Sequence, residues 1–253
     1  MIACQRARSD AFKPEAAAHH TIASKIDQGG YSLQALFVHG MGRSPLSGWP
    51  LLWQLRRAGL KPRTFGYAVT LEDFASIRRR LVARIVALAG RGDYVLIGHS
   101  LGGVLIRDAV NTLPAATRLP RHVFLLGSPH RPARLAQVLQ SNRVYKSLTR
   151  DCGQLLGSGP RMAAIGALPV PTTTIAGVGG PRWQAGPFRG EANDGVVTLS
   201  EVSAEWIADQ VQLPAIHTLL PTSGGAARII LNRLAQAAQS SNAEHERTTD
   251  EAD

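Results

Sequence analysis

The chain has 253 residues, 44% of them hydrophobic and 18% charged, which suits one globular domain with a core large enough to need no disulfides. No apolar run approaches the ~20 residues that span a bilayer, and Cys4 and Cys152 lie far apart with no metal-ligand spacing. The net charge is +10, and because the last thirteen residues hold five acids against one Arg, the rest of the chain is more basic still.

Residues 1–32 mix charges, alanines and the pair His19-His20 without periodicity, and Gln28-Gly29-Gly30 closes them like a linker. A loosely ordered arm is expected. The paired histidines have no acidic or cysteine neighbours and read as exposed polar residues rather than a metal site. The opening residues lack the apolar segment of a secretory signal, so a cytoplasmic location is expected.

Leu33 to Val38 is the first strand, and it runs into the glycine-rich turn His39-Gly40-Met41-Gly42. A helix over Ser47–Arg57, with Ser47 as candidate cap, and a strand over Lys61–Val69 follow. Leu71–Ala89 is an amphipathic helix: Phe74, Ile77, Leu81 and Ile85 share its apolar face, and Arg78, Arg79, Arg80 and Arg84 its solvated one. These arginines are the densest basic cluster, but no aromatics interleave with them as base stacking requires. Nucleic acid is therefore not expected as a partner; solubility, or attraction to an anionic surface, is.

Tyr94 to Ile97 is an apolar strand that ends in Gly98-His99-Ser100-Leu101-Gly102, the G-x-S-x-G pattern of a nucleophile elbow. A serine at such a strained strand-to-helix corner needs very small residues two before and two after it. Gly98 and Gly102 meet that need. The helix that follows, limited by Pro114, points its first amides at the serine oxygen, where charge develops in acyl transfer.

His122 to Leu126 is another buried strand with a sharp exit through Gly127-Ser128-Pro129-His130, which puts His130 near the ligand-binding edge of the sheet as a secondary candidate base. Residues 131–171, with helices around Arg134–Leu139 and Val144–Leu156, suit a small cap. Strands alternating with helices imply an α/β architecture with a parallel sheet covered on both faces.

A strand over 171–177 leads to Glu191-Ala192-Asn193-Asp194-Gly195, whose N-D-G turn presents Asp194 as a short, rigid carboxylate able to orient an imidazole. Glu191 is the reserve acid. Gln210–Leu213 then delivers His217, the candidate general base, to a loop before the terminal helix over Ala226–Ala238. Residues 241–253 are polar and acidic, and disorder is expected there.

The order Ser100…Asp194…His217, with the elbow and the His39-Gly40 turn, resembles the α/β-hydrolase superfamily over about residues 33–239. More narrowly, V-H-G-M-G, G-H-S-L-G-G, G-S-P-H and N-D-G-V-V look like the bacterial lipase and GPI inositol-deacylase-like branch, although Arg131-Pro132 stands where such lipases often have small residues. The resemblance implies a mostly parallel, doubly wound sheet of about six strands with helices on both faces. It also implies a serine esterase with a Ser100-His217-Asp194 triad, the Met41 and Leu101 amides as oxyanion donors, a small-molecule or lipid ester as substrate, and no metal or organic cofactor. An acyltransferase, thioesterase or amidase on the same fold, or a non-catalytic lipid-binding module, are the alternatives.

Overall fold

A computed structural model describes residues 33–250 of the chain. The arm expected over residues 1–32 and the last three residues of the tail lie outside the described residues.

The apolar runs form strands β1 (Gln34–Val38), β2 (Lys61–Phe65), β3 (Tyr94–His99), β4 (His122–Leu126), β5 (Thr172–Gly177) and β6 (Asp209–Leu213). They make one sheet in the order β2-β1-β3-β4-β5-β6, and every neighbouring pair is parallel. The sheet expected to be mostly parallel is thus parallel throughout, among the described residues. Parallel neighbours need long crossovers, and helices that cover both faces supply them except between β5 and β6, where residues 178–208 form turns and loop. Buried on two sides, β1, β3 and β4 read as unbroken apolar runs. The edge strands β2 and β6 are more polar and more exposed.

Side chains leave each strand alternately for two cores. Ala35, Phe37, Val95, Ile97, Phe124 and Leu126 meet helices α1 (Trp49–Arg57) and α7 (Gly224–Asp250). Leu36, Val38, Leu96, Val123 and Leu125 meet α2 (Phe74–Ala89) and α3 (Leu101–Asn111). Each such fully buried large side chain contributes roughly 1.5–3 kcal/mol.

Element ends differ from the sequence expectations for local reasons. Ser47 does not cap α1: it lies in a 3-10 turn, Pro45–Gly48, with its hydroxyl donating to Ser44 O, and the helix starts at Trp49. Strand β2 stops at Phe65 because Tyr67 turns away to stack on His39. Helix α2 starts at Phe74, where the Asp73 carboxylate accepts the Ser76 amide. Between β4 and β5 lie α4 (Arg134–Leu139), α5 (Arg143–Gly157) and α6 (Gly159–Ala164); α6 occupies a stretch expected to be loop, since Pro160 in a first turn removes no needed donor. Arg150 breaks α5 with φ 46° and ψ −133°. Helix α7 runs beyond Ala238 to Asp250, through most of the tail expected to be disordered; Ala, Glu and Arg there are strong helix formers. No helix among the described residues is long and apolar enough to cross a membrane.

Candidate active site

Ser100 sits between β3 and α3 with φ 54° and ψ −125°, a conformation that costs a non-glycine residue on the order of 1–3 kcal/mol. Close packing enforces it. A Cβ on Gly98 would lie 2.4 Å from Gly103 Cα, and one on Gly102 would lie 2.2 Å from Val38 O. The Ser100 amide donates to Leu126 O at 2.9 Å, which fixes the corner to β4. Its side chain is half-buried, and Leu101, as the first residue of α3, presents an amide that no helical carbonyl can accept from.

Asp194 and His217 arrive from the loops on either side of β6. Their side chains meet directly, with His217 Nδ1 2.6 Å from Asp194 Oδ2, and both are buried. The other carboxylate oxygen, Oδ1, accepts the amides of Val196 at 2.9 Å and Val197 at 2.8 Å. The Asp194 carbonyl accepts the His217 amide at 2.8 Å, so the two residues are tied through backbone as well as side chain. Gly127, at the exit of β4, lies beneath them: a Cβ there would be 3.0 Å from Asp194 Oδ2 and 3.1 Å from His217 Nδ1. Strand β4 is the neighbour of β3, so this pair and Ser100 share the carboxyl rim of adjacent strands. The Ser100 hydroxyl is not hydrogen-bonded to any described residue; the structure joins His217 to Asp194 and leaves the serine-to-imidazole link unmade.

The glycine-rich turn after β1 is sutured by its own histidine. His39 Nδ1 donates to Gly40 O at 2.9 Å and Nε2 accepts the Tyr67 amide at 3.4 Å, which requires the neutral ring that burial also favours. Tyr67 stacks on that ring, centroids 4.3 Å apart, and donates its hydroxyl to His39 O at 2.7 Å. So held, the turn packs on the elbow, with a Cβ at Gly40 falling 3.0 Å from Ser100 Cβ. Met41 follows at once and is half-buried.

His99 is the residue the motif leaves as x. Its Nε2 donates to His217 O at 3.0 Å, and its ring lies 4.8 Å from that of His217. Burial, reinforced by the His217 ring, pushes its pKa down to about 3, so it stays neutral.

Two reserve residues turn elsewhere. Glu191 pairs with Arg134 at 3.0 Å and accepts the Ser200 amide at 2.7 Å, bracing the loop that carries Asp194 rather than touching His217. His130 packs its ring against the edge of Trp206, with Nε2 3.4 Å from Thr174 Oγ1 and no carboxylate beside it; burial lowers its pKa to about 3. Sequence reasoning missed Tyr67, His99 and the buried Glu201, which accepts the Thr198 amide at 2.7 Å and the Arg134 amide at 2.6 Å. Only His99, inside the motif, carried any local signal. Among the described residues no cluster of three or more His, Cys, Asp or Glu could hold a metal, and Cys152 is buried with its thiol pKa pushed up to about 12.

A sequence model of the alpha/beta hydrolase family matches residues 35–238. No protein of the curated set matches the chain by sequence. Among solved structures, the mature form of the Bacillus licheniformis lipase BlEst2 is 18% identical with a TM-score of 0.63, covering 80% of this chain and 92% of that one. An extracellular alpha/beta-hydrolase from a Paenibacillus species is 13% identical with a TM-score of 0.55, over 81% and 98% of the two chains. The RedJ thioesterase of prodiginine biosynthesis in Streptomyces coelicolor is 14% identical with a TM-score of 0.50, over 83% and 91%. At these identities the likeness is one of fold.

Proposed function

The chain belongs to the alpha/beta hydrolase family, and from that premise we propose that it is a serine hydrolase of carboxylic esters, with Ser100 as nucleophile, His217 as general base and Asp194 as its orienting acid. The observation that carries this reading is the 2.6 Å contact between His217 Nδ1 and Asp194 Oδ2 on the rim where Ser100 occupies its strained corner. A carboxylate on Nδ1 fixes the tautomer that leaves Nε2 to receive a proton, and it stabilises the imidazolium that results.

Substrate binding then has to bring the Ser100 hydroxyl within reach of His217 Nε2, the link the structure leaves open. The imidazole takes the hydroxyl proton as Oγ forms a bond to the ester carbonyl carbon, and the carbonyl oxygen becomes an oxyanion between the Met41 and Leu101 amides. Collapse breaks the bond to the alcohol oxygen, which leaves with the proton from His217. A water molecule, deprotonated by His217, adds to the acyl-serine carbonyl; the bond to Oγ then breaks, His217 returns the proton to Oγ, and the acid leaves. Every step uses side chains and amides of this chain.

Thioester cleavage is the second reading, favoured by the structural likeness to the RedJ thioesterase; the triad is indifferent to the leaving atom. Hydrolysis of p-nitrophenyl butyrate, with acyl thioesters compared beside it, tests the proposal. Ser100→Ala is expected to lose roughly 10⁴-fold or more in rate and all labelling by a fluorophosphonate. Equal rates for the variant and the unaltered protein would end the assignment.

A further inference from the structure

The charge that composition suggests could meet an anionic surface is concentrated by sequence on α2, and there it is answered in part: Arg78 pairs with Asp108 at 3.4 Å, Arg80 with Glu72, and Arg79 donates to Ser76 Oγ. A surface whose own segments carry no acid lies elsewhere. Residues 40–71 and 210–240, which build α1, the two 3-10 turns and the first part of α7, contain no Asp or Glu at all. Arg43, Arg56 and Arg57 are exposed there and, among the described residues, pair with no carboxylate.

The same surface exposes large apolar groups. Leu51, Leu52 and Leu55 bury one side of α1. Trp49 and Trp53, one turn apart on another side, are 62% and 49% exposed. Leu46 in the first 3-10 turn and Leu219 in the second (His217–Thr222) are 74% and 52% exposed. These turns pack on each other and on α1. Arg57 lies over the Trp53 ring at 4.7 Å, and Arg43 Nη2 donates to Thr218 O at 3.2 Å, joining the loop of Met41 to the turn that begins with His217.

We propose that this face, made of the outer side of α1 and the two adjoining turns, docks on an anionic phospholipid bilayer. Tryptophan and leucine gain by entering the headgroup boundary, while arginine stems lie along it and hold phosphates. A second copy of the chain is disfavoured as the occupant, because two such faces would oppose cation to cation. That the docked site acts on lipid esters rests on the ester-hydrolase reading; the docking itself does not.

The test is co-sedimentation and tryptophan emission of the full chain with phosphatidylglycerol vesicles and with phosphatidylcholine vesicles, beside the rate on soluble p-nitrophenyl butyrate. The unaltered protein and Ser100→Ala should partition onto phosphatidylglycerol, less so as salt rises and little onto phosphatidylcholine. Trp49→Ala/Trp53→Ala and Arg56→Glu/Arg57→Glu should each weaken partition at least about tenfold while keeping the butyrate rate. Equal partition of both double variants would overturn the proposal. So would a lipid-independent dimer that Trp49→Ala/Trp53→Ala dissolves with no vesicle binding by the unaltered chain, which would make the face a protein interface. Vesicle binding without butyrate hydrolysis would uphold the docking and remove the esterase reading instead.

Discussion

Ser100 and Asp194 stand at one rim and are held there by different means. At the elbow almost everything that fixes the serine lies within four residues of it or in the strands on either side: a strained φ, two glycines with no room for a Cβ, and one amide bond to β4. Asp194 carries no such backbone strain of its own; its Oδ1 accepts the amides of Val196 and Val197. It sits in a loop braced by Asn193, whose side chain reaches Pro181 O, Glu191 O and the Gly195 amide, and by Glu191 and Glu201, both of which engage Arg134. Strain and sterics place Ser100; a spread of hydrogen bonds, many of them to carboxylates, places Asp194. The first arrangement should fail abruptly when altered, and the second gradually.

The sharpest probe removes the acid's charge and nothing else. Asp194→Asn is expected to lower kcat on a soluble ester roughly 10⁴-fold with little change in the urea midpoint, because the amide cannot hold the same His217 tautomer. A loss below tenfold would mean that another carboxylate serves, and the comparison would collapse. Next comes the elbow: Gly102→Ala forces a Cβ to within 2.2 Å of a backbone carbonyl, for a cost of about 3 kcal/mol read by urea denaturation.

Acid should loosen the histidine scaffold around the elbow. The folded pKa of His99, about 3, lies below its ordinary value of 6.5. Its contribution to stability is therefore complete above about pH 6.5 and drains away as pH falls toward 3, because only the unfolded chain takes up the proton. Between pH 7 and 5 His99 alone accounts for about 2 kcal/mol, and His130, also near 3, acts in the same direction. A urea midpoint that did not move between those pH values would refute neutral burial.

The braces of the acid loop should yield less. Glu201→Gln is expected to cost about 1.5 kcal/mol in stability and to slow hydrolysis mildly, since the amide still reaches one backbone donor. Glu191→Gln, whose pair with Arg134 is partly solvated, should cost under about 1 kcal/mol by the same measurement. If Glu191→Gln were the more damaging of the two, the buried brace would not be the principal one.

What the sequence determined by itself was whatever acts over a few residues. The Gly98-His99-Ser100-Leu101-Gly102 turn, the apolar runs of β1, β3 and β4 and the amphipathic face of α2 were legible because steric room and burial period are written in adjacent positions. Only the tertiary structure decided which acid meets His217, since Asp194 and Glu191 stand three residues apart and the pairing depends on how β5 and β6 close beside β4. It alone showed that His99 supports His217 from 118 residues away, that Tyr67 leaves its strand to pin His39, and that two arginines of α2 meet carboxylates while those beside Trp49 and Trp53 do not. Those outcomes turn on hydrogen bonds and charges between distant segments, which no local period encodes.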